Sequence, residues 1–249
     1  MAEPRLYVED ELMADSLVKL DRARAHYLVA VLRRKVDDPV VLFNGRDGAW
    51  RAVLAVAYKS EATLHVEAQL APQAASPDLW LLFAPLKHAP IDFLVEKATE
   101  LGVRRLLPVL TRYTQSERLN LDRLRARAIE AAEQSERLDV PEVAAAQELG
   151  RALDGWPAER PLLVCDEAGG EPIMAALERL RTEGKAGAPL ALLTGPEGGL
   201  ADDDRKALSL VPSRLAVSLG PRILRAETAA LAALACTQSV LGDWATPRR

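Results

Sequence analysis

The sequence predicts an α/β protein in two parts. A small N-terminal β-barrel covers residues 1–71, a linker covers 72–77, and a C-terminal α/β domain with a mostly parallel sheet covers 78–249. Three observations carry this reading. Short strand-like runs crowd the first part of the chain. The stretch from Ala71 to Pro77 is small, Pro-bearing and uncharged, as linkers are. Beyond it, strand-like and helix-like segments alternate, the pattern of a parallel sheet with covering helices.

In the first part, the runs Pro39–Phe43, Ala49–Val56 and Ala62–Glu67 read as strands. Asn44-Gly45-Arg46-Asp47-Gly48 joins the first two as a hairpin-type turn. One short helix fits Asp21 to Val31, where apolar residues recur near helical spacing. In the second part, Leu79–Ala84, Arg105–Leu110, Pro161–Cys165, Pro189–Leu193 and Arg214–Leu219 read as buried strands. Between them lie helices over Ile91–Leu101, ended by Gly102 as C-cap, over the charged Leu121–Arg137, and near Pro172–Glu183. A last helix spans Glu227–Leu241.

Composition bounds the function. The chain has 249 residues and a hydrophobic fraction of 49%, enough for a full core. Aromatics are only 4%, so Leu, Val, Ile and Ala must build that core. No apolar run approaches the roughly 20 residues that span a bilayer. The start, Met1-Ala2-Glu3-Pro4-Arg5, lacks a basic-then-apolar signal pattern, so a cytoplasmic location is expected. Cys165 and Cys236 fit no metal or CxxC spacing and are expected as reduced thiols. The net charge of −4 argues against a wholesale nucleic-acid coat. Basic residues still cluster locally, at Arg22, Arg24, Arg33, Arg34 and Lys35, then at Arg104, Arg105 and Arg112.

Two glycine-rich turns hold the chemistry. Leu193-Thr194-Gly195-Pro196-Glu197-Gly198-Gly199-Leu200 is an apolar strand running into a turn, with Asp202-Asp203-Asp204 at the next helix start. Leu219-Gly220-Pro221-Arg222-Ile223-Leu224-Arg225-Ala226-Glu227-Thr228-Ala229 is a second such turn opening a helix. Neither is a P-loop, since no Gly-Lys-Ser/Thr follows, and GxGxxG is absent. HExxH, GxSxG and zinc spacings are also absent, and His26, His65 and His88 are scattered. Two turns of this kind present bare peptide groups to a small polar ligand. The second turn can be a plain entry into a buried Ala-rich helix, but its two arginines and glutamate are costly to bury unless paired, and paired near a pocket they read as substrate contacts.

These two segments resemble the signature loops of the RsmE-type ribosomal RNA uridine methyltransferases of the SPOUT superfamily. Three further segments agree: Lys97-Ala98-Thr99-Glu100-Leu101-Gly102-Val103, then Glu133-Gln134-Ser135-Glu136-Arg137 with Val140-Pro141, and His26-Tyr27-Leu28 with Val31-Leu32-Arg33. The resemblance runs through nearly the whole chain in order. It implies a PUA-like barrel that helps hold RNA, a C-terminal trefoil knot and a homodimer. The small-residue helix from Ala226 to Ala235 is compatible with a helix-packed dimer and equally with plain core packing. Threaded topologies are rare, and periodicity alone would not suggest one.

The resemblance also implies S-adenosylmethionine as cofactor and no metal. The methyl acceptor would be ring nitrogen 3 of a uridine in 16S ribosomal RNA of the small subunit. Leu193, Thr194, Gly195, Pro196, Gly198, Gly199, Ser218, Leu219, Gly220, Ile223, Leu224 and Glu167 would form the cofactor pocket, with Asp166-Glu167 as its neighbouring loop. Arg225 and Arg222 are the cationic candidates for catalysis, and Glu227 and Glu197 the acidic ones. Arg5, Arg22, Arg24, His26, Arg33, Arg34 and Arg112 would contact RNA. Two places depart from the family pattern. Asp37-Asp38-Pro39 stands where Gly-Asp is usual, and Pro90 follows Lys87 where a basic residue is usual. The competing readings are another SPOUT enzyme acting on transfer RNA or a ribose hydroxyl, and a non-catalytic RNA-binding ribosome-assembly factor.

Overall fold

The computed structural model describes residues 3–74, 76–86, 89–114 and 119–245. Ala75 of the linker, and Lys87 and His88 ahead of Pro90, lie outside these residues. The chain forms two units, one of residues 1–75 with 132–140 and one of 76–131 with 141–249.

The first unit is a curled five-stranded sheet. Its strands are β1 (Arg5–Tyr7), β2 (Leu17–Leu20), β3 (Pro39–Phe43), β4 (Ala49–Tyr58) and β5 (Glu61–Ala71), in the order β1-β3-β4-β5-β2. Only β1 and β3 run parallel. Register shifts along the β4–β5 pair, between Ala49 and Trp50, Arg51 and Ala52, and Leu54 and Val56, supply the bends that curl a sheet. The inner face buries Leu6, Val40, Leu42, Leu54, Leu64 and Val66 around Leu28. Strands β1 and β2 are too short to stand out in the sequence and gain definition only from their partners. β4 outruns the expected Val56 because the tight Lys59-Ser60 turn lets it keep pairing with the start of β5, and β5 outruns Glu67 because Ala68, Gln69 and Ala71 pair with Arg51, Trp50 and Ala49.

The helix expected over Asp21–Val31 divides. Helix α1 (Arg22–His26) is capped by the Asp21 carboxylate, which accepts from Arg24 N at 2.8 Å. It then widens into a π-helix over Tyr27–Val31, and the chain turns away at Arg33, a left-handed residue with φ 56°. The charged helix expected over Leu121–Arg137 is also shorter than expected. The helix expected to reach Arg137 ends at Gln134, because Glu136 is left-handed with φ 61°. The segment 132–140 belongs to the first unit, where Glu133 Oε1 accepts Tyr7 N at 3.0 Å.

The second unit is an α/β sheet. Its strands are β6 (Leu79–Phe83), β7 (Arg105–Leu110), β8 (Glu142–Val143), β9 (Gln147–Glu148), β10 (Leu162–Cys165), β11 (Glu171–Pro172), β12 (Leu190–Thr194) and β13 (Arg214–Ser218). All pair in parallel, in the order β11-β13-β10-β12-β6-β7-β8, with β9 also on β7. The helices are α2 (Ala89–Glu100), α3 (Leu121–Gln134), α4 (Leu149–Leu153), α5 (Ile173–Thr182), α6 (Asp202–Ser209) and α7 (Ala226–Val240). The fully buried runs Leu81-Leu82, Leu162-Leu163-Val164 and Ala191-Leu192-Leu193 are what a sheet covered on both faces requires.

The last strand does not join at an edge. β13 lies between β10 and β11, pairing Val217 with Cys165 on one side and with Glu171 on the other. The connection 166–170 therefore carries the chain from one flank of β13 to the other, and the C-terminal segment threads past it. This is the threading that the expected knot demands. Gly170 sits against the β13 main chain so closely that a Cβ there would lie 2.7 Å from Val217 N. At the opposite end of the sheet, Trp80 is held between Arg160 at 3.7 Å and Arg105 at 4.8 Å, and Arg160 pairs with Asp78 at 2.6 Å.

Candidate functional site

In parallel sheets, ligands bind outside the carboxyl ends of the strands, where the order of connections reverses. Here the carboxyl ends of β10, β12 and β13 open into a cavity of about 350 Å³, within the range of ligand sites. Three loops wall it. One is 166–170 after β10, one the 195–199 turn after β12, and one 219–224 between β13 and α7.

Every residue expected in the cofactor pocket lines this cavity except Leu193. The Leu193 side chain points instead into the core beside Leu82 and Val164, and only the strand it belongs to leads to the cavity. Gly199 and Gly220 are left-handed, with φ of 74° and 103°, which permits the tight reversals of the chain at the cavity wall. Gly198 needs no such φ. Its missing Cβ makes room for Tyr113, whose Cβ would stand 3.1 Å away.

The charged candidates separate. Arg222 and Glu197 are exposed side chains in the cavity wall. Arg225 is the extended N-cap of α7 (φ −64°, ψ 153°), and Glu227 is half-buried in the first turn, where a carboxylate favours the helix dipole. Both flank Ala226, which lines the cavity. Ile223 is almost wholly exposed at 97%.

The sequence reading missed Cys165, Gly169, Val217 and Ala229 as lining residues. The signal for Cys165 was its place at a strand end one residue before Asp166. Burial, reinforced by Cys236, pushes its thiol up to about 12, so this wall of the cavity is a neutral thiol. Asp166 and Glu167 turn their carboxylates to Arg205 at 2.7 and 3.0 Å. Burial alone would raise the Asp166 pKa, but hydrogen bonds from Arg205 and the Ala168 amide bring it below its ordinary value.

Among the basic candidates, Arg22, His26 and Arg33 are exposed on the first unit, and Arg24 and Arg34 are half-buried. Arg24 leans on Asp21 at 3.8 Å. Arg5 is directed inward: it donates to Arg137 O at 3.0 Å and lies 5.4 Å from the Phe43 ring centre. Its burial lowers its pKa, against the pull of Glu136. Arg112, in the second unit, is exposed, and its amide is held by Asp204 at 3.3 Å. Among the described residues no cluster of His, Cys, Asp and Glu could hold a metal, and no helix is long and apolar enough to cross a membrane.

Comparison with known proteins agrees with both halves of this architecture. An RNA methyltransferase domain family matches residues 74–238, and an RNA methyltransferase PUA domain family matches 20–67. The ribosomal RNA small subunit methyltransferase E of Rickettsia conorii is 32% identical over 93% of this chain and 93% of its own. Its counterpart in Synechocystis is 33% identical over 95% of this chain and 78% of its own. The crystal structure of the Neisseria gonorrhoeae enzyme of the same name, bound to S-adenosyl methionine, superposes with a TM-score of 0.86 at 29% identity, covering 98% of this chain and all of that one. A putative methyltransferase from Legionella pneumophila, in complex with the same cofactor, gives 0.85 at 25% identity, covering 96% and 98%. Matched in order through both units and along nearly its full length, the chain belongs to the ribosomal RNA small subunit methyltransferase E family.

Proposed function

We propose that the chain transfers a methyl group from S-adenosylmethionine to ring nitrogen 3 of a uridine in 16S ribosomal RNA. The observation that carries the reading is the cavity at the carboxyl ends of β10, β12 and β13, in a chain whose Neisseria relative is a structure bound to that cofactor. The residues present fit the group. The cavity of about 350 Å³ is walled by two glycine-bearing turns, with Leu219 and Leu224 as apolar walls for a ring. When bound, the cofactor supplies an electrophilic methyl group on a sulfonium.

The chain's own residues then have four tasks. The main chain at 195–199 and 219–224 holds and orients the donor. Cys165 lines the same cavity as a neutral thiol and so does not compete as a nucleophile. Ring nitrogen 3 carries a proton and attacks only when that proton leaves. Glu197, in the cavity wall, is the proton acceptor. Arg222 and Arg225 place positive charge where negative charge develops on the uracil oxygens, and Glu227 fixes the α7 start that carries Arg225.

Arg22, Arg24, His26, Arg33 and Arg34 on the first unit, and Arg112 on the second, hold RNA phosphates. Single-stranded bases and backbone shape are what RNA offers for recognition. The half-exposed Leu231, Ala232 and Ala235 along α7 suit close packing against a second copy, a homodimer. A small-subunit RNA substrate places the enzyme in the cytoplasm.

The test is to incubate the purified protein and labelled cofactor with small subunits from cells lacking the enzyme. A single methylated uridine at nitrogen 3 is expected. A label on a ribose, on transfer RNA, or nowhere overturns the reading. Arg225→Ala is expected to lower turnover far more than cofactor affinity, and unchanged turnover removes its catalytic role.

A further inference from the structure

We propose that Arg205 is a positioning residue that clasps two loops of the donor cavity together and thereby sets its affinity for the cofactor. The proposal rests on the reading of that cavity as the S-adenosylmethionine site. Arg205 lies on α6, and it is not part of the cavity wall. Its guanidinium nevertheless reaches both loops. Nε donates to Asp166 Oδ2 at 3.1 Å and Nη2 to Asp166 Oδ1 at 2.7 Å, a bidentate pair. Nη2 also donates to Glu167 Oε1 at 3.0 Å, and Nη1 donates to the Leu200 carbonyl. Glu167 Oε1 accepts the Leu200 amide at 3.3 Å as well.

One side chain thus ties the 166–170 connection, which carries the chain around β13, to the end of the 195–199 turn. The fit between the two loops is close. Gly199 is left-handed, and a Cβ there would stand 2.8 Å from Glu167 Cδ. The Asp166 side chain is 8% exposed, so its pair with Arg205 is partly shielded from water. Arg205 hydrogen bonding holds Asp166 ionised below its ordinary range, and the same bonds raise Arg205. The clasp is therefore charged at every pH at which the fold persists near neutrality. A cavity whose walls are fixed before the ligand arrives loses less freedom on binding. Only arginine offers the planar fork that serves two carboxylates and a carbonyl together, and a lysine would keep a single point charge.

The experiment measures cofactor affinity by calorimetry on the intact protein without RNA, and turnover on small subunits. Arg205→Ala is expected to weaken binding by about 10- to 100-fold, the weight of charge-assisted bonds lost at a partly shielded site. The loss falls on KM for the cofactor rather than on kcat at saturating cofactor. Arg205→Lys is expected to recover about a third of the lost binding free energy through the Asp166 pair alone. Asp166→Asn in the Arg205→Ala background is expected to add little, since the two act as one unit. Arg205→Ala that melts lower yet binds the cofactor as wild type does reduces Arg205 to a stabilising residue and overturns the proposal. An Arg205→Ala protein that does not fold leaves Arg205→Lys and Glu167→Gln to decide, and wild-type affinity in both overturns it. Wild-type protein that fails to bind the cofactor at all is the separate failure of the cavity assignment.

Discussion

Substitution of Gly170 by alanine tests the threaded connection directly. Gly170 does not have a left-handed φ, so its backbone tolerates any residue. Its surroundings do not. A Cβ would lie 2.5 Å from Ala216 C and 2.7 Å from Val217 N, and Ala216 O is closer still. All three are main-chain atoms of β13, so no rotamer change relieves them. Ordinary contact begins near 3.4 Å, and the connection must lift by about 0.9 Å from Ala216 C alone. Lifting it breaks the pairing of Glu171 with Val217 and of Pro172 with Ser218. Overpacking of this kind costs about 1–3 kcal/mol. For a chain of this length, each kcal/mol lowers Tm by roughly 2–4 °C, so a fall of about 2–12 °C is expected by scanning fluorimetry. Hydrogen exchange should quicken at 166–172 and at 214–218 while β6 and β7 keep their protection. Gly169→Ala is the control: Gly169 is left-handed with φ 110° but has nothing within 4 Å, so its cost is conformational and stays local. Gly170→Ala that melts with wild type and exchanges like it would refute the close passage of the connection across β13.

Three further outcomes follow from single contacts. Ala201 is an extended N-cap (φ −75°, ψ 166°) with no side-chain acceptor, while Asp204 already accepts its amide at 2.9 Å; Ala201→Ser completes the reciprocal pair and should stabilise by about 0.5–2 kcal/mol, read as a rise in the urea midpoint. The Cys165 thiol titrates near 12 when folded against 9.0 for a free thiol, so its contribution is fully present below pH 9 and is lost as pH rises toward 12. In a Cys236→Ser background, Cys165 should resist alkylation at pH 8 as a neutral thiol, and prompt alkylation without unfolding would contradict the raised pKa. Burial would raise Asp78, but its bonds with Arg160 hold it below 3.8; its stabilising contribution is present above that pH and fades as pH falls through the lower folded value. Wild type and Asp78→Asn should therefore differ in Tm at pH 7 and converge in strong acid, and a constant gap would remove the pair as the cause.

Much of this architecture was legible because the sequence states it locally. Buried parallel strands such as Leu162-Leu163-Val164 are unbroken apolar runs, and the glycine turns at 195–199 and 219–224 follow them directly. Local pattern cannot report where a strand goes in a sheet. Nothing in Arg214–Ser218 announces that it will lie between β10 and β11, because insertion is decided by the order in which distant segments close. The segment Glu133–Arg137 shows the same limit. Its charges read as helix, yet Glu136 turns left-handed and Glu133 caps the amide of Tyr7, a partner far away in the chain. The short β1 and β2 are likewise invisible until β3 and β5 offer them edges.

The cavity follows the same division. Its glycines and prolines could be read from the sequence because a turn needs them wherever it stands. Cys165 was marked only by its place at a strand end, and Arg205 not at all, since neither belongs to a turn and each matters through what the fold brings near it. Arg205 is the sharper case: in sequence it follows Asp202-Asp203-Asp204 and reads as an ordinary helix cation with acidic neighbours. In space it passes over those neighbours to Asp166 and Glu167, some forty positions earlier, at 2.7 and 3.0 Å. That choice is physical. Asp203 is open to water and already answers Lys206 at 3.0 Å, whereas Asp166 has an 8% exposed side chain and would be a costly unpaired charge without a cation. The partly buried carboxylate captures the arginine, and in doing so it fastens the connection that makes the fold threaded to the turn that makes the cavity.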